Sequence, residues 1–177
     1  MSVLALDLGQ SSGWAVGGGA LPPRFGTLRI GPVSTEADIG PALCAFLDGM
    51  APLIREHKPS EIWIEAALDV AAVNNVASRG GAMGKEITIQ LQYMLAGAVY
   101  TLGHRLRISV RKVRVNTARA YFLRGIPTHD AQENKINAKD RATMACVRRG
   151  WKIASVHEAD AGAILGWRLA QQQEARA

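Results

Sequence analysis

Apolar runs in the first part of the chain predict three consecutive strands. Residues 2–8 (SVLALDL) are apolar on both alternating sets, which is typical of a central strand covered on both faces. A turn over residues 9–13 leads to a second strand that begins at Trp14, and FGTLRIG at 25–31 can form a third. This order predicts an antiparallel meander.

The remaining sequence alternates helical and strand patterns. Apolar residues recur at helical spacing from Thr35 to His57, and EIWIEAA at 61–67 then alternates like a fourth strand. The later predicted elements are a helix at about 86–103, a strand at 106–110 and helices near 112–124, 134–149 and 157–173. Because no internal repeat or linker interrupts them, we predict one α/β domain over residues 1–177. It would contain a mixed five-stranded sheet, the meander plus parallel strands, with helices on both faces.

Composition favours a globular protein with a sizeable core. Hydrophobic residues make up 48% of the 177-residue chain, and we identify no apolar run long enough to span a bilayer. The N-terminus lacks the basic segment and apolar region of a secretory signal, so we expect a cytoplasmic protein without a membrane partner. Cys44 and Cys146 have no CxxC spacing, and we predict that both are reduced and buried.

The charge distribution favours an anionic partner. The chain has 21 Lys and Arg against 15 Asp and Glu, a net charge of +6. Seven basic residues and no acid lie from Arg105 to Arg124, and six more basic residues lie from Lys135 to Lys152. A solvated basic face would have the same composition, but this clustering favours nucleic acid as the partner.

Two acidic residues interrupt strands that otherwise have core character. Asp7 lies in the first strand, and Glu65 lies near the end of the fourth, which would be its parallel neighbour in such a sheet. Two poorly solvated carboxylates there repel each other, so they need a cation or partial protonation. A turn-forming role stays open for Asp7, whereas an unpaired Glu65 in an apolar strand would be costly.

The segment SVHEADAGAILGW at 155–167 places further polar side chains at a helix start. Ser155 and Glu158 have the spacing of a capping box. His157 and Asp160 then lie at i and i+3 on one helix face, where each can also have a purely structural role. Together with the strand acids they form an oxygen-rich set that suits Mg²⁺ or Mn²⁺. Two such ions about 4 Å apart can clamp the attacking water and the leaving oxygen of a phosphodiester.

These residues stand in the order found in a known family. ALDLG at 5–9 with its Ser-Gly-Trp return, IWIEAA at 62–67 and HEADAGAILGW at 157–167 resemble the RuvC-like Holliday-junction resolvases of the RNase H-like superfamily. The resemblance is closest to the phage-type branch and runs from Asp7 to about Leu169. It implies an RNase H-like nuclease fold, a homodimer, and symmetrical paired nicking of four-way DNA junctions. It also implies two Mg²⁺ or Mn²⁺ ions per active site.

The resemblance assigns roles to individual residues. Asp7, Glu65 and Asp160 match three of the family's four metal-site acids. His157 stands at the fourth position, commonly Asp, where it either binds metal or assists product release. Lys139 matches a helix lysine at or beside the scissile phosphate and completes the implied catalytic set. The implied DNA contacts are Asn74, Asn75, Arg79, Lys85, Arg111, Lys112, Arg114, Arg119 and Lys139.

Other interpretations stay open. The segment 68–85 matches a part of the family that reaches into the junction, but it can also be a flexible hairpin. DLGQSSG at 7–13 resembles the phosphate hairpin of sugar-kinase and actin-like ATPases, although the sequence has no second such turn. A non-catalytic junction-binding module would bind DNA without cutting it. A nuclease of broader specificity would cut flaps, forks or RNA–DNA hybrids.

Overall fold

The computed structural model describes residues 2–18, 21–66 and 82–175, with only the backbone described for 82–85. These residues form a five-stranded mixed sheet in the order β3-β2-β1-β4-β5. The strands are β1 (Val3–Asp7), β2 (Ser11–Gly17), β3 (Arg24–Arg29), β4 (Glu61–Glu65) and β5 (Ser109–Val113). The first three pair antiparallel, and β4 runs parallel to both β1 and β5. The predicted mixed sheet is therefore confirmed.

Helices cover both faces of this sheet. They are α1 (Ile39–His57), preceded by a 3₁₀ turn at Glu36–Asp38, then α2 (Ala82–Leu106), α3 (Val115–Phe122), α4 (Ala138–Arg148) and α5 (Val156–Glu174). On one face, Leu6 and Ile64 share an apolar cluster with Phe46 of α1 and Leu91 of α2. On the other face, the clustered side chains are Val3, Ala5, Trp63, Ala118, Ile164 and Leu165. The predicted two-sided helical cover is also confirmed.

The predicted strand at 106–110 was wrong by three residues. Helix α2 continues to Leu106 and ends where Arg107 adopts a left-handed conformation with φ 56°. The strand then begins at Ser109 and carries exposed Arg111 and Lys112 in its middle. Because β5 is an edge strand, these charges remain in solvent, and their alternation does not produce the apolar pattern of a buried strand.

Two other expectations need correction. Cys146 is buried as predicted, and burial raises the pKa of its thiol to about 12, but Cys44 is exposed on α1. The stretch Glu36–His57 also has the length and mean hydropathy (1.3) of a membrane-spanning helix, contrary to our expectation that no such run exists. In the fold, this stretch buries Phe46 and Met50 in the core, as a core helix does.

Candidate active site

Four predicted site residues meet at one edge of the sheet. Because β1 and β4 are parallel, their last residues, Asp7 and Glu65, lie side by side. Helix α5 begins against this edge and contributes the other two: Nδ1 of His157 lies 3.1 Å from Oδ2 of Asp7, and Asp160 is buried one turn further along. A hydrogen bond also joins the carboxyl groups of Asp7 and Glu65. The structure thus brings Asp7 and His157 into contact although they are 150 positions apart.

The start of α5 is fixed by the predicted cap. Ser155 is the N-cap residue, and its Oγ accepts a hydrogen bond from the backbone N–H of Glu158 at 3.2 Å. The buried Glu158 carboxylate accepts in turn from the N–H of Ala154 (2.7 Å) and from the hydroxyl of Thr27 on β3 (3.0 Å). This carboxylate anchors the helix terminus to the sheet. Glu158 therefore has a structural role, which leaves His157 and Asp160 for the site.

A glycine in β2 allows this close approach. A Cβ at Gly13 would overlap the backbone carbonyl of His157 and lie 2.8 Å from the N–H of Glu158. Buried Ser12 holds the preceding turn by donating to the carbonyl of Gly9 (2.8 Å) and accepting from its N–H (3.1 Å). Gly13 was predicted to end a turn, but it lies inside β2, and its contact with the helix was not predicted. The signal was present, since a glycine inside a strand often marks a close backbone approach.

The electrostatics of the strand-end acids differ from those of ordinary carboxylates. Burial is the main reason that the pKa of Asp7 rises to about 6, and the nearby charge of Asp160 raises it further. The hydrogen bond with Glu65 and the positive charges of Arg119 and Lys139 lower this pKa, but by less. Burial and the neighbouring Asp7 raise the pKa of Glu65 to about 8. The two groups therefore share a proton at neutral pH, as expected when two carboxylates lie too close for both to be ionised.

Arg119 holds the third acid. From α3 it donates two hydrogen bonds, from Nε (3.0 Å) and Nη2 (2.7 Å), to Oδ1 of Asp160. The exposed fractions of these side chains are only 19% for Arg119 and 4% for Asp160. Arg119 was predicted as a DNA contact, and the structure shows it engaged with a site carboxylate. That pairing left no signal in the sequence because it depends on how α3 docks against α5.

Exposed basic residues surround the acids. Lys139 lies in the first turn of α4, where the cap residue Asn137 accepts from its backbone N–H at 3.0 Å, and its charge lowers the pKa of Asp7. Arg111 and Lys112 are exposed on β5, and Arg114 is exposed at the N-cap of α3. The charges near the strand ends can therefore face an anionic ligand of the acid cluster.

A groove of about 890 Å³ adjoins the acid cluster. It is lined by Glu65 at one end and by Lys112 and Arg114 beside it. Tyr93 and Tyr100 of α2 line the same groove, and both residues are more than 40% exposed. The tyrosines were not predicted, although their seven-residue spacing places them on one helix face. Cations and aromatic rings in one groove are suited to phosphates and bases.

Four predicted DNA contacts lie where the structure describes no side chain. Asn74, Asn75 and Arg79 lie outside the described residues, and for Lys85 of α2 only the backbone is described. Their roles stay predictions.

The acids fit the predicted divalent ion in their chemistry. Asp7, Glu65 and Asp160 provide carboxylate oxygens, which Mg²⁺ and Mn²⁺ prefer as ligands. The proton shared by Asp7 and Glu65 and the arginine paired with Asp160 indicate that the three acids carry an excess of negative charge. Over residues 2–18, 21–66 and 82–175, no three His, Cys, Asp or Glu side chains are already arranged around a metal position. Each of these carboxylates instead contacts a protein group.

Comparison with solved structures identifies the architecture. The sequence matches no family model and no curated protein. The Thermus thermophilus RuvC structure superposes with a TM-score of 0.60 at 17% identity, over 98% of this chain and 97% of that one. The chain has a RuvC-like RNase H fold. T. thermophilus RuvC in complex with a Holliday junction substrate gives a TM-score of 0.61 at 16% identity, over 98% and 96% of the two chains.

A second resolvase has a related structure. The yeast mitochondrial Holliday junction resolvase Ydc2 superposes with a TM-score of 0.54 at 10% identity, over 97% of this chain and 80% of that one. The predicted RNase H-like fold is confirmed by these likenesses. The predicted phage-type branch has no test among them and stays a prediction.

Proposed function

We propose that this protein is a metal-dependent endonuclease that resolves four-way DNA junctions by symmetrical paired nicks. The observation that carries the proposal is the meeting of Asp7, Glu65, Asp160 and His157 at one sheet edge of a RuvC-like fold. Raised pKa values mark Asp7 and Glu65 as functional candidates, because buried carboxylates without a compensating cation are costly in a purely structural role.

The chain's own residues divide the chemical work. Asp7, Glu65 and Asp160 would hold two Mg²⁺ or Mn²⁺ ions. When bound, these ions would acidify an attacking water and stabilise charge on the leaving 3′ oxygen. His157 orients the Asp7 carboxylate through its 3.1 Å contact, and it can hold or release a proton beside it. Lys139 is close enough to lower the pKa of Asp7 and would bind a neighbouring phosphate.

The basic groove would position the DNA. Lys112 and Arg114 line the groove beside Glu65, and exposed Arg111 adds positive charge on the opposite face of β5. Such contacts neutralise phosphates and fix the strand's register without reading its sequence. We therefore propose that branched DNA is bound by shape and charge, with a strand directed toward the acids. We also propose that the protein acts as a homodimer, because symmetrical nicking needs two sites related by a twofold axis, and that it works in the cytoplasm.

A cleavage assay tests this function. Labelled four-way junctions, linear duplexes, flaps and RNA–DNA hybrids would be incubated with wild-type protein in Mg²⁺, Mn²⁺ or EDTA. The expected result is paired nicking of the four-way junction that requires the metal. Asp160→Asn should abolish cutting but retain junction binding, because basic residues supply most of the affinity.

Asp48→Asn is the matched control, since it makes the same chemical change on the exposed side of α1. It should cut at the wild-type rate. Junction binding without cutting by the wild-type protein would indicate a non-catalytic module, and cutting of flaps or hybrids would keep the metal centre but change the substrate. Normal cutting by Asp160→Asn would contradict the assigned site.

A further inference from the structure

The Arg119–Asp160 pair covers an oxygen that the proposed metal centre needs. Both guanidinium donors, Nε and Nη2, converge on Oδ1 of Asp160 at 3.0 and 2.7 Å. The Asp160 side chain is almost fully buried, so its carboxylate has few directions from which a ligand can approach. A protein cation therefore already occupies one side of this carboxylate.

Helices α3 and α5 are also joined by contacts other than this pair. Helices α3 and α5 share apolar clusters that include Ala118 with Ala161 and Phe122 with Ala163, all fully buried. These contacts hold α3 against α5 over the length of α3. The position of Arg119 among the acids is thus available for a role other than fastening the two helices.

Arg119 acts on the whole acid cluster. Besides its hydrogen bonds to Asp160, its positive charge lowers the pKa of both Asp7 and Glu65. Lys139 also lowers the pKa of Asp7, but its side chain is exposed on α4. Arg119 is therefore the inner cation of the site, and Lys139 an outer one.

We propose that Arg119 competes with the divalent metal: it covers Oδ1 of Asp160 in the metal-free protein and withdraws when an ion binds. The inference rests on the proposed metal-dependent function. Two cations on one buried carboxylate oxygen repel each other strongly, so an ion that binds Asp160 through Oδ1 must break both hydrogen bonds. The released guanidinium can then bind a DNA phosphate, for which its paired donors are well suited. Metal and DNA would consequently favour each other's binding.

Mn²⁺ binding to the DNA-free protein tests this competition. The free ion is measured by electron paramagnetic resonance during a titration. Arg119→Gln should bind Mn²⁺ about tenfold more tightly than the wild type, because no guanidinium has to be displaced. Lys139→Gln is the matched control, since it removes a nearby positive charge without freeing an Asp160 oxygen. Its affinity should rise by no more than about twofold, as expected for a screened charge.

A second variant protects the test against misfolding. Arg119→Lys keeps the charge but offers one nitrogen in place of the two that bind Oδ1, so it should also bind Mn²⁺ more tightly than the wild type, by a smaller factor. Thermal melting of each variant verifies that it is folded. Unchanged or weaker Mn²⁺ binding by both Arg119 variants would overturn the competition, and so would an equal gain in Lys139→Gln.

Asp160→Asn separates this failure from failure of the proposed function. If Asp160→Asn loses Mn²⁺ binding while the Arg119 variants match the wild type, the metal centre stands and only the competition is wrong. If Asp160→Asn binds as tightly as the wild type, or if no variant binds Mn²⁺ at all, both proposals are wrong.

Discussion

Strand β4 carries a glutamate at each end, and the two have opposite surroundings. Glu61 accepts hydrogen bonds from Arg168 (2.7 and 3.2 Å) and from Gln172 (2.8 Å). Burial alone would raise the pKa of Glu61, but these donors outweigh it and hold the pKa below its usual range. Glu65, four residues later, faces Asp7 instead and has its pKa raised to about 8.

The difference shows how two acids of one strand can differ in the positive charge that the protein supplies to them. Both glutamates belong to the same strand, but Glu61 is buried and Glu65 is half-buried. Residue type and solvent exposure therefore do not explain why the less exposed of the two has the lowered pKa. What distinguishes them is whether the protein supplies matching positive charge. Glu61 is paired with Arg168 and ties α5 to the sheet, whereas Glu65 faces a second carboxylate, which is the basis for proposing it as a metal ligand.

The largest expected effect comes from exchanging each glutamate for its amide. Glu65→Gln should reduce junction cleavage by about a thousandfold with little loss of stability, because it removes a metal ligand. Glu61→Gln should cut nearly normally but unfold more easily, since an amide pairs less strongly with Arg168. The test compares the cleavage rate and the urea denaturation of both variants with those of the wild type. Equal loss of cleavage in the two variants would contradict the division of roles.

The next largest effect is expected on stability, when the arginine partner of Glu61 or of Asp160 is removed. Arg168→Met should lower the free energy of unfolding by about 3 kcal/mol, because it leaves Glu61 buried without its cation. Arg119→Met should also destabilise the protein, but Mg²⁺ should restore its stability by compensating Asp160. Chemical denaturation with and without Mg²⁺ tests the pair. If Mg²⁺ restored the stability of both variants, or of neither, the proposed difference between the two acids would be wrong.

A smaller effect is expected at the approach of α5 to the sheet. Gly13→Ala should cost about 2 kcal/mol, because its Cβ overlaps the carbonyl of His157 and the helix must shift. Cleavage should fall too, since His157 and Asp160 move with the helix start. Gly40→Ala in α1 is the control, with no atom within 4 Å of its added Cβ and no place in the lining of the groove. Wild-type melting and cleavage by Gly13→Ala would contradict the described contact.

The last effect concerns pH and needs no change to any contact between elements. In the metal-free protein, the pKa of Glu65 is raised from 4.5 to about 8 and that of Asp7 from 3.8 to about 6. The folded state therefore binds more protons than the unfolded chain in this window. The stabilising contribution is present below about pH 4 and is lost as the pH rises to about 8. Denaturation of wild type and Glu65→Gln across this range should show a flatter profile for the variant.

The sequence predicted that these acids come together in the fold, because they follow local patterns. Asp7 and Glu65 end apolar strands, and His157 and Asp160 follow a recognisable cap, so strand order and helix periodicity were enough to bring them together. Their roles as metal ligands stay predictions. Arg119, in contrast, meets Asp160 across 41 residues. That contact depends on how two helices dock, which no periodicity encodes.

The dependence on docked elements also explains the other features that the sequence did not predict. The clash that forbids a side chain at Gly13 appears only when α5 is in place, and β5 was misplaced because an edge strand tolerates charges on both of its faces. The exposure of Cys44 likewise reflects which side of α1 faces the sheet. Local chemistry was thus predictable from sequence, whereas the contacts between docked elements were not.

Helix α5 contacts both of the regions compared above, Glu61 through Arg168 and the acid cluster through His157. Arg168 lies eleven residues after His157, about three helical turns, so both point to the same side of a helix that contains no proline. The contact of Arg168 with Glu61 thereby holds the far part of this helix to the sheet, about 16 Å from His157. The start of α5 has its own anchor in Glu158. Substitutions at the Arg168 contact should therefore loosen the helix while the start that carries the site stays in place.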